Sequence, residues 1–118
     1  MSLRMTEVVI DCADHDAVVD FWRHALGYER REVNDQYVAL LPPARDPGLP
    51  PLLFQKVPEA KAGKNRVHLD LRGETMAAEV ERLTALGATF IAERTLGEGV
   101  RWTVMADPEG NEFCVSSG

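Results

Sequence analysis

The sequence predicts an α+β fold built from two copies of one unit, strand, helix, then three strands. Three observations predict it. Twice along the chain an apolar/polar alternation of period two gives way to an apolar stripe at helical spacing. Each stripe stops at a glycine, Gly27 or Gly87. The wording also repeats: "VVID … ALGY" is answered about 60 residues later by "VHLD … ALGA", with 16 residues from Asp11 to Gly27 and 17 from Asp70 to Gly87.

In the first unit, "EVVIDCAD" sets Val8, Ile10 and Cys12 on one face and Glu7, Val9 and Asp11 on the other, as a half-buried strand requires. Val18, Phe21, Trp22, Ala25 and Leu26 then recur as a helical stripe. Asp14 stands where a carboxylate can cap the free N–H groups, and Gly27 can take the left-handed position that ends a helix. A short strand over 29–33 and the runs "QYVALL" and "PPLLFQKV" complete the set.

The second unit begins at Arg66 with the strand "RVHLDLRG", its oily face Val67, Leu69 and Leu71, its other face Arg66, His68, Asp70 and Arg72. Thr75 is the expected cap of a helix whose stripe is Met76, Val80, Leu83 and Leu86. "ATFIAER", "VRWTVMAD" and "NEFCVSS" are the three strands that follow. "PPARDPGLPP", "GEG" and "DPEGN" mark turns, where proline presets one dihedral and glycine permits positive φ.

At 118 residues the chain is expected to be one domain, 1–118, with modules at about 5–58 and 65–117 and a connector at 59–64. A helix between strands covers only one face of a small sheet. The uncovered faces of two such sheets could enclose a shared hollow, with the helices outside and the mixed side of each strand turned inward.

The hydrophobic share of 45% and charged share of 27% suit an ordinary folded protein. No apolar run approaches the roughly 20 residues that span a bilayer, and "MSLRMTEVV" lacks a secretory apolar core, so no membrane partner and a cytoplasmic location are expected. Thirteen basic against nineteen acidic residues give a net charge of −6, which repels phosphate backbones and argues against nucleic acid. Cys12 and Cys114 form no C-x-x-C pair and are expected as free thiols.

Four segments in order, "DFWRHALGYE" (20–29), "KNRVHLDL" (64–71), "EVERLTALGA" (79–88) and "DPEGNEFCV" (107–115), resemble the vicinal oxygen chelate superfamily, the glyoxalase, bleomycin-resistance and extradiol-dioxygenase group, and in particular its small glyoxalase-like branch. The resemblance implies paired βαβββ modules in a cup-shaped, partly open eight-stranded mixed sheet. It also implies a homodimer and either lyase, isomerase or dioxygenase chemistry on a metal-chelated ligand, or metal-free sequestration of a drug or metabolite. Metal-using members place one ligand in each of four strands, and those positions fall here on Glu7, Gln55, His68 and Cys114. The repeat can also pair His68 with Val9, one strand step from Glu7. Such members usually carry glutamate where Cys114 stands, three residues after the asparagine of the turn. With Gln55 and Cys114 in place of two carboxylates, Mg²⁺, Mn²⁺ or Fe²⁺ would be poorly neutralised, while Zn²⁺ could accept Glu7, His68 and Cys114. No tightly held metal or other cofactor is therefore expected.

The expected ligand pocket comprises Glu7, Asp11, Gln55, His68, Asp70, Trp102 and Cys114. Imidazole titrates near neutrality, so His68 is the candidate catalytic group; its plainer role is a bond to Asp70 or a neighbouring strand. Gln55 can both donate and accept, or simply sit exposed near a strand end. Asp11 and Asp70 hold matching repeat positions and either orient a ligand or pair with Arg66 and Arg72. Cys114 is a reactive thiol if nearby positive charge such as His68 lowers its pKa, and otherwise small apolar filler. Cys12, Phe21 and Trp22 are expected in the core, whereas Trp102 and Phe54 could either line the hollow or fill the core. No nucleophile-and-acid triad or glycine-rich phosphate loop is present. The leading expectation is thus a small organic ligand bound in the hollow, and the net charge of −6 would attract a cationic one.

Overall fold

The computed structural model of the chain describes residues 2–118, which divide into two compact units, one ending at Ala60 and the other Lys61–Gly118. The first contains β1 (Val8–Cys12), α1 (His15–Leu26), β2 (Glu29–Glu32), β3 (Tyr37–Leu41) and β4 (Leu52–Lys56). The second contains β5 (Leu69–Gly73), α2 (Met76–Leu86), β6 (Thr89–Thr95), β7 (Arg101–Ala106) and β8 (Glu112–Ser117). Each is a βαβββ module with its own four-stranded mixed sheet, ordered β1-β4-β3-β2 and β5-β8-β7-β6. The β1–β4 and β5–β8 pairs are parallel and the remaining pairs antiparallel. The architecture is α+β, as the repeat predicts.

In the first module the Asp14 carboxylate accepts the Asp16 N–H at 2.9 Å, and Gly27, at φ 70°, closes the helix by donating to the Arg23 carbonyl. The stripe of α1 buries Val18, Val19, Phe21 and Trp22, with the two aromatic rings edge to face at 5.2 Å. Beneath it lie Val38, Leu40, Leu52 and Phe54, all buried, and Cys12 joins this side. Burying one such side chain contributes about 1.5–3 kcal/mol, which makes this face the main source of the module's stability.

The second module is built the same way with a thinner helix contact. Leu83 is the buried residue of α2, over Met105, Phe113 and Val115. Thr75, the expected cap, makes no side-chain cap bond; the Met76 N–H donates instead to the Ser117 hydroxyl at 2.7 Å, so β8 caps the helix. The "DPEGN" turn is held by Asp107 Oδ1, which accepts the N–H of Glu109 and of Asn111 at 2.9 Å each, while Gly110 supplies φ 86°.

One strand boundary differs from expectation. β5 starts at Leu69 rather than Arg66, and Val67, expected on the oily face, is 76% exposed. The partner strand explains this. β8 begins at Glu112 and pairs Leu69 with Phe113, so upstream of His68 there is no strand to bond to. The incoming segment is held by side chains instead: Lys64 donates to Glu112 Oε1 at 2.5 Å and Asn65 Nδ2 to Asn111 Oδ1 at 3.0 Å. Among the described residues no helix is long and apolar enough to cross a membrane.

Candidate functional site

Alternation along β5 puts Leu69 and Leu71 over the buried Phe113 and Val115, leaving Asp70 and Arg72 on the face that α2 does not cover. On that open face the ladders form a row, Asp70 beside Cys114, Cys114 beside Val104, Val104 beside Ala92. His68 precedes Asp70 by two and shares its side. Trp102 stands two residues before Val104 on β7, across from Arg94 on β6.

His68, Asp70, Arg94, Trp102, Val104 and Cys114 line a hollow of about 430 Å³, entirely within the second module, whose further walls include Leu71, Val100 and Glu112. A volume of this size lies within the usual range for small-ligand sites, roughly 300–1,000 Å³. His68 Nε2 lies 3.2 Å from Asp70 Oδ1, and the imidazole, the Asp70 carboxylate and the Cys114 thiol present donor atoms all within 4.8 Å of one another.

Neighbouring charges set the chemistry. The Lys64 ammonium, bonded to Glu112, holds that carboxyl below its ordinary range. Cys114 moves the other way. Burial raises its pKa, and the negative charge of Asp70 and a bond to it raise it further. The thiol is therefore protonated at neutral pH, contrary to an activated nucleophile: Asp70 lies closer in effect than any cation. Asp70 itself is set against His68 rather than against Arg66 or Arg72.

The structure thus brings His68, Asp70, Trp102 and Cys114 to one hollow. Glu7, Asp11 and Gln55 belong to the first module, where Asp11 pairs with Gln55 on the open face of its sheet and Glu7 stands exposed just before β1. The ladders also align the repeat. Asp11 beside Gln55 corresponds to Asp70 beside Cys114, so the counterpart of His68 is Val9 rather than Glu7. Phe54, left open by its sequence, is core.

Arg94 escapes the sequence reading for a definite reason. A register shift lies between Phe90 and Ala92, pairing Phe90 with Met105 on the covered side but Ala92 and Arg94 with Val104 and Trp102 on the open side. Simple alternation from Phe90 would have turned Arg94 toward the helix. Of the cations at the hollow, Lys64 is engaged by Glu112 and Arg101 by Glu93 at 2.6 Å, while Arg94 has no partner among the described residues.

For a divalent metal, as the family resemblance implies, the local donors are imidazole, carboxylate and thiol. This mixture suits zinc-class ions better than Mg²⁺ or Mn²⁺. Glu112, committed to Lys64, is not a free donor.

The family model described as a glyoxalase-like domain matches residues 7–116. No curated protein matches the chain. Among solved structures, a genomically encoded fosfomycin resistance protein from Listeria monocytogenes is similar at TM-score 0.78 and 15% identity, covering 100% of this chain and 95% of its own. A glyoxalase/bleomycin resistance protein/dioxygenase family enzyme from Burkholderia phytofirmans PsJN has TM-score 0.75 at 20% identity, with 95% and 96% covered. A lactoylglutathione lyase from Agrobacterium tumefaciens has TM-score 0.70 at 19% identity, with 98% and 93% covered. A mutant of the Listeria protein is complexed with Mn(II) and 1S,2S-dihydroxypropylphosphonic acid.

Proposed function

Because the chain belongs to the glyoxalase-like domain family, we propose that it binds a small, planar organic anion in the hollow of its second module. The observation that carries this is the side-by-side placement of the half-buried Trp102 and the unpartnered Arg94 on one wall of that hollow. An indole offers a flat apolar surface, and a guanidinium offers a paired donor edge to a carboxylate or phosphonate.

The net charge of −6 would favour a cation at long range. Over distances beyond the Debye length of about 8 Å that attraction is screened, so the group touching the ligand decides the sign. The phosphonic acid held by the mutant Listeria protein is likewise a small organic anion.

His68, set against Asp70, is the group that would move a proton on the bound ligand if the site is catalytic. A homodimer, as the resemblance implies, would cover the apolar side chains that β6 leaves exposed, Phe90 and Ile91; light scattering measures that.

The test uses the two tryptophans. Trp22 is 1% exposed, so a ligand-dependent change in fluorescence reports Trp102. Benzoate is expected to quench and benzamidine to leave the signal unchanged, and Arg94→Gln is expected to weaken benzoate binding about tenfold. Equal quenching by both probes, or by neither, would overturn the reading.

A further inference from the structure

The hollow also holds, two strands from Arg94, a cluster of metal-type donors. We propose that His68, Asp70 and Cys114 form a zinc-class metal site contained within the second module alone. It departs from the four-strand set that the family resemblance implies, in which Glu7 and Gln55 contribute and Asp70 does not.

The placement is fixed by backbone. Asp70 and Cys114 are ladder partners on the parallel β5–β8 pair, and His68, just before β5, turns its ring to the same hollow. Adjacent side chains on one sheet face start only about 5 Å apart, so their ends converge without any rearrangement of the strands. The measured separations suit one ion. Two metal bonds of about 2.05 Å at a tetrahedral angle set nitrogen and oxygen about 3.3 Å apart, and His68 Nε2 lies 3.2 Å from Asp70 Oδ1. A nitrogen and a sulfur on the same ion are about 3.6 Å apart, so from the 4.8 Å outer bound the thiol needs to approach by no more than about 1.2 Å. Rotation about side-chain bonds supplies that, since His68 and Asp70 are exposed at their ends.

The ligand types choose the ion. One imidazole, one carboxylate and one thiolate are a borderline-soft set that zinc and cobalt accept, whereas magnesium and manganese prefer oxygen. Two of the three donors carry negative charge when the ion is bound, which neutralises its double charge. The nearest ammonium, Lys64, is already engaged by Glu112, and Arg94 is two strands from Cys114, roughly 10 Å across the ladder. Three protein donors are one fewer than a closed structural zinc site uses, the donor count of an open site.

Cobalt(II) is the probe, because thiolate ligation gives a near-ultraviolet charge-transfer band whether or not any organic ligand binds. One equivalent is expected to produce that band and zinc to displace it. Cys114→Ser is expected to abolish the band, Asp70→Asn to weaken cobalt binding at least tenfold, and Glu7→Gln to change neither. Absence of the band from folded protein, its survival in Cys114→Ser, or an equal loss in Glu7→Gln would each overturn the proposal. Should Cys114→Ser fail to fold, iodoacetamide on the unsubstituted chain reads the same contact: zinc is expected to protect Cys114, and an unchanged alkylation rate would overturn it.

Discussion

In the first module the ladder sets Val9 beside Leu53 and Asp11 beside Gln55; in the second it sets Asp70 beside Cys114, with His68 two residues before Asp70 and Glu112 two before Cys114. The aspartate is common to both. Valine against histidine, leucine against glutamate and glutamine against cysteine leave the second face with an imidazole and a thiol that the first lacks. On the covered faces the equivalent positions match, Phe54 and Phe113 both being fully buried under a helix, although α2 buries less than α1. Folding constrains the covered side, where a lost methylene leaves a void. It leaves the uncovered side free to acquire chemistry in one copy of the repeat and not in the other.

The equivalence of the covered faces can be tested by the largest effect available. Phe54→Ala and Phe113→Ala should each cost about 3–5 kcal/mol in urea unfolding. Costs differing by more than about 2 kcal/mol would break the equivalence, since the two positions would then not be doing the same work.

Next in size is an exchange of the open faces. His68→Val with Cys114→Gln gives the second module the residues of the first and should remove the cobalt charge-transfer band. The reverse exchange, Val9→His with Gln55→Cys beside Asp11, should create a band where none of that origin existed. A graft that stays silent would mean that the ladder positions alone do not make the site.

A smaller effect is expected at the aromatic wall. Trp102→Ala should weaken benzoate by about 1 kcal/mol, roughly fivefold, while Tyr37→Ala on the open face of the first sheet should leave it unchanged in equilibrium dialysis.

The smallest effects concern pH. Cys114 has a raised folded pKa, so its contribution to stability is complete below the ordinary thiol value of about 8.5 and is lost as pH rises through the folded value. Thermal melts of Cys114→Ser should accordingly fall less steeply above that pH. Glu112 has a lowered folded pKa, so its contribution is present at neutral pH and is lost as pH falls through that lowered value, an acid-side loss that Lys64→Ala should remove.

Much of this architecture is legible from residue periodicity. Both helices, their glycine ends at Gly27 and Gly87, the Asp14 cap and the core places of Phe21, Trp22 and Cys12 follow from local pattern and are found where expected. What the pattern misses is set by partners distant in sequence. Thr75 loses its capping role to Ser117, which reaches the helix start from the last strand. β5 begins late because β8 offers no bonding groups before Glu112. Arg94 reaches the open face only through the register shift after Phe90, which no period of two can reveal. The pKa of the Cys114 thiol is raised rather than lowered because burial, and after it the nearby Asp70 carboxylate, outweigh the cations nearby.

The most direct test of where this protein binds its ligand is an amide and indole proton NMR titration with benzoate. The indole N–H of Trp102 should shift in proportion to occupancy, together with the amides of Asp70 and Cys114, while the buried indole of Trp22 stays in place. A benzoate-induced pattern that leaves the Trp102 indole unmoved would contradict the assignment of the second module's open face as the binding site.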